Sequence, residues 1–388
     1  MLACIIVMTV CFFFVVYAMA IYPILLLLLG KINKKRKIKK DYSYEPTVSY
    51  MIVAHNEEQC IKRKLENIFT FDYPLDKIQV LVASDFCTDK TDNIVQNFIE
   101  EHPELNIILN KSKEHKGKTN AQNETQKLAT GEILVMTDAN SIFEKNAIRE
   151  LIASFTSEEI SYVCGRLVYT NTDNLTASNE STYWNIDLKM RDIESRMQTI
   201  TAGNGSIYAV RNSDYFDTNP ILCHDSEFPY RFALLKKRSI NNCDAISYEK
   251  AGEDNHDEFK RKVRMNRSIL SVFIRMWRPL NVFKYKWFSL FYFGHRTCRY
   301  LLWFNHLSFF IASIVLTAIG YYVVGGILLG LQILFLVVGI VSIKHKIRFK
   351  SIRLIGYYSM MVLAQLVAAF KQITGQSKPV WEKAESTR

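Results

Sequence analysis

Asp138 and Asn140 are the side chains whose type and spacing most directly suggest chemistry. They stand one residue apart after the short apolar run Glu132–Met136, which is typical of a strand buried in a parallel sheet. Ligands of open α/β sheets bind at the carboxyl ends of strands, and closely spaced oxygen ligands suit Mg²⁺ or Mn²⁺ beside a phosphate. The pattern predicts a divalent metal site. The alternative is capping of the helix-like run that begins at Glu144.

Asp225 is a second acidic residue in a position to do chemistry. It opens a probable helix that runs through Leu234. An aspartate at this position either caps the helix or acts as a general base at the edge of a cleft, and the sequence leaves both roles open.

Arg261, Arg264 and Arg267 follow one another at intervals of three residues, near one face of a predicted helix. Such a face binds diphosphate well, because guanidinium groups pair with phosphate oxygens in a fixed geometry. A cytoplasmic helix lying on anionic lipid would show the same pattern.

The elements that must position these side chains alternate between strands and helices, which predicts an α/β domain built from βαβ units. Polar residues collect after successive strands, at 56–57, 85 and 138–140, which favours a nucleotide crevice over isolated turns. Neither GxGxxG nor GxxxxGK[ST] occurs here, which disfavours a dinucleotide-binding dehydrogenase and a P-loop NTPase. The predicted strands are 48–54, 78–83, 106–109 and 132–137, and the predicted helices are 59–70, 91–101 and 119–129.

The N-terminus has the pattern of an uncleaved membrane anchor. Residues 2–29 contain no charged side chain, and about 20 apolar residues suffice to cross a bilayer. Lysine and arginine are concentrated in residues 31–40. The positive-inside rule therefore places Met1 outside and the polar domain 41–280 in the cytoplasm.

Three further apolar segments close the chain, at about 300–319, 321–343 and 352–370. The basic loop 344–353 is expected to be cytoplasmic. Strict alternation of four spans would place the tail outside, whereas its positive charge favours the inside. We expect a cytoplasmic tail, with 300–319 as the segment that does not span.

The charge and the cysteine content of the chain indicate which classes of partner and metal site to expect. The net charge of +11 owes much to the blocks beside the membrane, so anionic lipid explains it better than nucleic acid, and no basic stripe with interleaved aromatics is present. We expect membrane lipid as a partner and no nucleic acid. The eight cysteines form no CxxC pair, which argues against a zinc site and suits a reduced cytoplasmic domain.

The order of these motifs resembles membrane-embedded family 2 glycosyltransferases, and the resemblance covers nearly the whole chain. It implies the GT-A fold (the Rossmann-like fold of nucleotide-diphospho-sugar transferases) with transmembrane helices added. The motifs, in order, are Val53–Glu58, Ser84–Thr91, Gly117-Lys118 with Ala121 and Asn123, Thr137–Asn140, Gly203–Ser206, His224-Asp225, Glu258–Arg267 and Trp381–Lys383.

The resemblance assigns donor contacts to four residues. It implies that Ala54, Glu57 and Asp85 contact the base and ribose of the nucleotide, and that Lys118 lies near the nucleotide pocket.

The resemblance also assigns the metal and the base. Asp138 belongs to an Asp-X-Asp-type metal motif in which Asn140 replaces the second aspartate, lowering the charge but keeping an oxygen ligand. Asp225 matches the catalytic base. His224 replaces the acidic residue that normally precedes it, which leaves Glu227 as a weaker competitor for the role.

The basic helix matches a Gln-X-X-Arg-Trp motif with two changes. Glu258 and Arg261 occupy its Gln and Arg positions, but Lys262 stands where processive polymer synthases carry Trp, which puts processivity in doubt. Arg261 and Arg264 are expected to assist at the donor diphosphate.

Together these features predict an inverting hexosyltransferase that uses a nucleotide-diphospho-sugar donor, Mg²⁺ or Mn²⁺, and a glycan or lipid-linked acceptor in surface polysaccharide biosynthesis. The alternatives are a processive polysaccharide synthase and a non-catalytic nucleotide-sugar-binding membrane protein. The expected organisation is an anchor at 1–30, a cytoplasmic catalytic domain at 41–280, an interfacial segment at 281–299, membrane helices at 300–372 and a tail at 373–388.

Overall fold

The computed structural model describes residues 1–32, 38–171, 175–252, 255–345 and 350–380. Expectations for the basic residues 33–37 and 346–349 and for Trp381–Lys383 lie outside this range. The chain divides into two compact units. The helical unit comprises Met1–Lys31, Asp173–Thr182 and Gly252–Ser377, and the sheet unit comprises Ile32–Thr172, Tyr183–Ala251 and Lys378–Arg388.

One mixed β-sheet forms the centre of the sheet unit, with strand order β3-β2-β1-β4-β7-β6-β8-β5. Strands β3, β2, β1 and β4 are parallel, whereas β7 runs antiparallel to both of its neighbours, β4 and β6. Strand β8 is parallel to β6 and antiparallel to the short β5. The strands are β1 (Val48–Ala54), β2 (Ile78–Ser84), β3 (Asn106–Lys111), β4 (Ile133–Asp138), β5 (Ile142–Phe143), β6 (Ile160–Tyr169), β7 (Ile207–Arg211) and β8 (Arg238–Glu249).

The α-helices are distributed over both units, and short 3₁₀ and π-helical turns join some of them. In chain order they are α1 (Leu2–Val16), α2 (Tyr22–Ile32), α3 (Ile61–Glu66), α4 (Thr91–Glu101), α5 (Lys118–Gln126), α6 (Ala147–Ala153), α7 (Leu175–Met197), α8 (His224–Leu234), α9 (Asn255–Met265), α10 (Ile269–Arg275), α11 (Val282–Tyr285), α12 (Trp287–Phe291), α13 (Cys298–Tyr300), α14 (Leu302–Ala318), α15 (Tyr322–Lys344) and α16 (Lys350–Ile373).

The hydrophobic core of the sheet unit lies on both faces of the sheet. Every residue of β1 and β2 is buried, as expected for parallel strands covered on both sides. Because side chains alternate along a strand, Tyr50 packs on one face with Leu65 of α3, while Met51 packs on the other with Ala121 of α5 and Phe228 of α8. The helices on the two faces therefore hold the strand ends in place.

The parallel half follows the sequence-based expectation closely, and the second half departs from it. Strand β1 and helix α4 have the expected bounds, and the helix expected at 59–70 is α3 followed by a 3₁₀ turn, Asn67–Thr70. Strands β5, β6 and β8 were not predicted. Residues 252–280, which the sequence pattern assigns to the catalytic domain, belong to the helical unit.

Three stretches of the helical unit, among the described residues, are long and apolar enough to cross a membrane: Leu2–Ile32, Tyr322–Ser342 and Ser351–Ile373. Trp287–Tyr300 and Leu302–Ala318 form a pair bent by 53°, which counts as a fourth span only if it crosses as one element. The first of these stretches joins α1 and α2 through a π-helical turn.

Helix α16 differs from the other candidate spans in its surroundings. Half of the most apolar part of α16 is buried within the protein, whereas the buried share is 17% for Leu2–Ile32 and 11% for Tyr322–Ser342. It packs beside α9 and α10: Lys262 lies over the ring of Tyr357, and Gln372 Nε2 donates to Ser271 Oγ at 3.2 Å. A strongly charged helix, α9, therefore runs beside α16.

Candidate active site

The candidate site lies at the carboxyl ends of the parallel strands in the sheet unit. Strand β1 lies between β2 and β4, with Ala54 opposite Ser84 and Val53 opposite Asp138. Parallel strands end at the same edge of a sheet, so Ala54, the residue after Ser84, and Asp138 come together. This placement confirms that the polar strand ends seen in the sequence belong to one edge.

Asp85 is fully buried and organises the turn before α5. Its amide donates to the carbonyl of Ala54 at 2.9 Å, and its Oδ1 accepts from the amides of Lys116 and Gly117, each at 3.2 Å. Gly117 has φ of +94°, a conformation that favours glycine. The carboxylate of Asp85 thereby fixes the start of the helix that carries Lys118.

Two histidines flank Asp85. The ring of His55 stacks on that of His115 with centroids 4.0 Å apart, and Nδ1 of His115 lies 2.9 Å from Asp85 Oδ2. Burial is the main cause that lowers the pKa of His55. A neutral His55 provides a flat aromatic wall beside the predicted nucleotide contacts.

Lys118 links Thr137–Asn140, the predicted metal turn, to Gly203–Ser206, the glycine loop before β7. Its Nζ forms an ion pair with Asp138 and also donates to the carbonyl of Gly205 at 3.2 Å. Both Lys118 and Asp138 are about one-quarter exposed, at 26% and 30% of their side-chain surface. The pair is therefore accessible to a ligand that competes for either charge.

Asp225, in the first turn of α8, also lies close to Gly205. A Cβ built on Gly205 would lie 3.4 Å from Lys118 Nζ and 3.7 Å from Asp225 Oδ2. Burial is the main cause that raises the pKa of Tyr208, followed by the charge of Tyr215. The charges of Asp225 and Asp138 also raise it. Asp138 and Asp225, 87 positions apart in sequence, thus belong to one site.

The structure decides against helix capping for both aspartates. Helix α8 has Cys223 at its N-cap, which puts Asp225 inside the first turn. Helix α6 has Asn146 at its N-cap, and β5 intervenes between Asp138 and that helix. Neither aspartate is the N-cap of a helix.

His224 anchors α8 to α5 and so positions Asp225. It is buried, with Nδ1 2.8 Å from Gln122 Oε1 and Nε2 3.0 Å from Asn123 Oδ1. Burial, and after it the charge of Lys118, lower the pKa of His224 to about 3. His224 is therefore a neutral residue that ties α8 to α5.

Two further polar residues, which the sequence did not indicate, contact the metal turn. Glu249, at the end of β8, accepts from Asn140 Nδ2 at 2.8 Å and from Ser206 Oγ at 3.0 Å. Lys64 of α3 is fully buried beneath the metal turn, where its Nζ donates to Thr137 Oγ1 at 2.9 Å and to the carbonyl of Ser141. No motif marks Glu249, whereas a lysine on the buried face of a short helix was a signal that the sequence did offer.

The comparison with family models agrees with this geometry. The model for glycosyl transferase family 2 matches residues 49–237, which include nearly all of β1, β2 to β4, the metal turn, Gly205 and Asp225. This chain carries a family 2 glycosyltransferase domain. The match ends within the sheet unit and leaves β8, with Glu249, beyond it.

Curated relatives of the glycosyltransferase domain align over a limited stretch. A probable glycosyltransferase of Bacillus subtilis, YdaM, is 31% identical over 115 residues, which cover 29% of this chain and 27% of the relative. A beta-monoglucosyldiacylglycerol synthase of Nostoc sp. is 26% identical over 144 residues, 37% of this chain and 31% of the relative. The chain thus matches under one-third of the length of either protein.

A solved structure shares the fold over nearly the whole chain. The mannosyltransferase PcManGT of Pyrobaculum calidifontis, solved with GDP-Man and Mn²⁺, superposes with a TM-score of 0.71 at 20% identity, covering 95% of this chain and 99% of that one. The sheet unit therefore has the GT-A fold that the sequence predicted.

The remaining predicted donor residues of the glycosyltransferase have structural contacts of their own. Glu57 is buried, and its amide donates to Thr91 Oγ1 at 2.7 Å. Arg261 and Arg264 belong to the helical unit, and their contacts with the donor diphosphate stay a prediction. Arg261 donates to buried Glu258 through Nε at 2.7 Å and Nη2 at 3.0 Å, and Lys262 lies 3.2 Å from the same carboxylate.

Proposed function

We propose that this glycosyltransferase moves a sugar from a nucleotide-diphospho-sugar to a hydroxyl of a glycan or lipid-linked acceptor at the cytoplasmic face of the membrane. The observation that carries the proposal is the convergence of Asp138, Lys118 and Asp225 around Gly205. A carboxylate beside an accessible lysine suits the binding of a metal-bound diphosphate, and a second carboxylate nearby suits proton abstraction.

The proposed step is a single displacement that inverts the anomeric carbon. Asp225 takes the proton of the acceptor hydroxyl, the acceptor oxygen forms a bond to the anomeric carbon, and the bond to the diphosphate oxygen breaks. The nucleoside diphosphate leaves with the bonding electron pair, and Asp225 holds the proton. Lys118 offsets the charge that grows on the leaving group.

The side chains of the metal turn fit Mg²⁺ or Mn²⁺. The amide nitrogen of Asn140 donates to Glu249, which leaves its Oδ1 as the ligand atom beside the carboxylate of Asp138. A bound divalent cation would neutralise charge on the donor diphosphate. The solved relative in the fold comparison holds Mn²⁺ with GDP-Man, which supports this choice of cofactor and donor class.

A lipid or glycan acceptor agrees with the membrane attachment and with the Nostoc relative, whose name specifies a glucosyldiacylglycerol product. Transfer of single sugars is favoured over processive synthesis, because Lys262 stands at the position of the Trp expected in processive enzymes. Lysine has no aromatic ring on which a sugar could stack, and Lys262 is buried and paired with Glu258.

To test this function, purified full-length protein is incubated with a panel of UDP- and GDP-sugars, and the products are analysed by mass spectrometry. We expect transfer that EDTA abolishes and Mn²⁺ or Mg²⁺ restores. Asp138→Ala should lose both turnover and nucleotide binding, because the metal joins the protein to the diphosphate. Asp76→Ala, in the 3₁₀ turn before β2, is the matched control and should behave as wild type.

Full activity in chelator would contradict the metal assignment. Nucleotide-sugar binding without any product across the panel would favour the alternative of a non-catalytic binding protein. Long polymers from a single acceptor would instead favour a processive synthase.

A further inference from the structure

Glu249 occupies a place beside the metal turn that the family motifs do not describe. Its Oε1 accepts from Asn140 Nδ2 at 2.8 Å, and its Oε2 accepts from Ser141 Oγ at 3.3 Å and Ser206 Oγ at 3.0 Å. The carboxylate thus connects the end of β8 to the metal turn and to the glycine loop before β7. Three donors from two separate loops hold it in one orientation.

The hydrogen bond from Asn140 fixes which way its amide points. A carboxylate accepts only, so the atom of Asn140 that faces Glu249 is the NH₂ group, and the carbonyl oxygen Oδ1 is the group left to bind a cation. A neutral partner able to donate as well as accept would not impose this choice. Glu249 therefore selects the ligating orientation of Asn140.

Charge gives the second argument. Burial lowers the pKa of Lys64 well below its ordinary value, and the charges of Asp138 and Glu249 act in the opposite direction. Both carboxylates are thus within electrostatic reach of the Lys64 side chain, which lies buried under the metal turn. An Asp-X-Asp turn would place two negative charges there, and in this chain the second charge lies on Glu249 instead of on residue 140.

We infer that Glu249 is the second acidic group of the metal centre, a positioning residue that supplies the negative charge absent from Asn140 and turns the Asn140 amide oxygen toward the cation. This inference rests on the proposed metal-dependent transfer. It predicts that the charge and the amide are exchangeable between positions 140 and 249. An aspartate at 140 beside Glu249 would set two carboxylates against each other, whereas a glutamine at 249 would donate to that aspartate.

The test measures Mn²⁺ affinity by electron paramagnetic resonance, on full-length protein in detergent, with Mn²⁺ titrated in the presence of UDP and, separately, of GDP. We expect Glu249→Gln to weaken Mn²⁺ binding by about 10-fold or more, as loss of outer partners of metal ligands typically does. Asn140→Asp should also weaken it, because the amide that donates to Glu249 is lost and the two carboxylates turn apart, which displaces the ligand at position 140. The double variant Asn140→Asp/Glu249→Gln should return to within a few-fold of wild type.

Glu132→Gln is the matched control, because Glu132 lies at the opposite end of β4, where it accepts from Tyr44 Oη at 2.5 Å. It should leave Mn²⁺ affinity unchanged. Melting temperatures of all variants check that the fold is retained, and if Glu249→Gln is unstable the double variant still decides the question.

The outcomes separate this inference from the function on which it rests. If Asp138→Ala abolishes Mn²⁺ binding while Glu249→Gln binds as wild type, the role of Glu249 is overturned and the metal site stands. If Glu249→Gln is weak and the double variant does not recover, Glu249 is only a structural tie, and the inference is overturned as well. If Asp138→Ala binds Mn²⁺ as wild type does, the proposed metal site itself fails.

Discussion

At the residue scale, Asp225 is the group on which the proposed chemistry depends most. Asp225→Asn keeps the size and shape of the side chain but cannot take the acceptor's proton. We expect turnover to fall by about 10²-fold or more with little change in donor affinity, since general-base catalysis typically contributes that much. Steady-state rates, together with calorimetric binding of the donor nucleotide, measure the two effects separately.

Glu227 provides the comparison for this prediction. It lies in the same first turn of α8, so Glu227→Gln tests a neighbouring carboxylate in the same local structure. We expect this variant to retain most activity. An inactive Glu227→Gln beside an active Asp225→Asn would mean that the base has been assigned to the wrong carboxylate.

The sequence indicated some site residues and missed others for a physical reason. Asp138, Asn140 and Asp225 stand where an apolar run ends or a helix begins, so local pattern marks them. Glu249 gives no such signal, because its role depends on hydrogen bonds to residues 43 or more positions away. A polar residue with such distant partners is identified only when those partners are known.

At the element scale, the junction of α5 and α8 makes the fold sensitive to acid. The folded pKa of His224 is about 3 against an ordinary value of 6.5, so between these values the unfolded chain binds a proton that the folded chain excludes. Stability from this residue is therefore complete above pH 6.5 and decreases as the pH falls towards 3. The loss is at most about 1.4 kcal/mol for each pH unit.

Thermal melting of wild type and His224→Gln between about pH 8 and pH 4 measures this effect, because this range extends to both sides of the ordinary histidine pKa. Glutamine keeps a polar group near Gln122 and Asn123 but does not titrate. We expect the wild-type melting temperature to drop more steeply with acid than that of the variant. Parallel curves would show that His224 is not responsible.

The elements themselves divide into those that local sequence determines and those that it does not. Strands β1 to β4 are short, mainly apolar runs that end in polar residues, and the sequence predicted them, with helices α4 and α8, within a few residues. Strands β6 and β8 carry polar residues on partly exposed positions and bulges in their pairing, so their pattern does not identify a strand. Their conformation depends on pairing with each other.

At the scale of the whole molecule, we propose that α16, rather than the 300–319 segment, is the apolar stretch that does not cross the membrane. It packs beside the charged helix α9, and charged side chains are costly within the bilayer core. With α14 and α15 as a spanning hairpin, the basic loop 344–353 and the tail both become cytoplasmic. Contact between Gly117 and Pro379, both in the sheet unit, supports a tail on the catalytic side.

Cysteine labelling in intact cells tests this arrangement, in a background where the eight native cysteines are replaced. We expect Tyr322→Cys to react with a membrane-impermeant reagent, and His345→Cys and Glu385→Cys to react only after permeabilisation. If instead the 300–319 segment does not span, positions 322 and 345 should exchange their behaviour. Labelling at 385 in intact cells would place the tail outside.

The sequence by itself determined the α/β class and predicted the membrane attachment, the metal turn and the base, because each depends on a pattern of neighbouring residues: an apolar run, its polar end, a block of charge. The tertiary structure decided what depends on residues far apart in the chain. It excluded helix capping for Asp138 and Asp225, joined them through Lys118 and Gly205, and brought Glu249 to Asn140. Pairing between distant strands sets these contacts, and no local pattern encodes it.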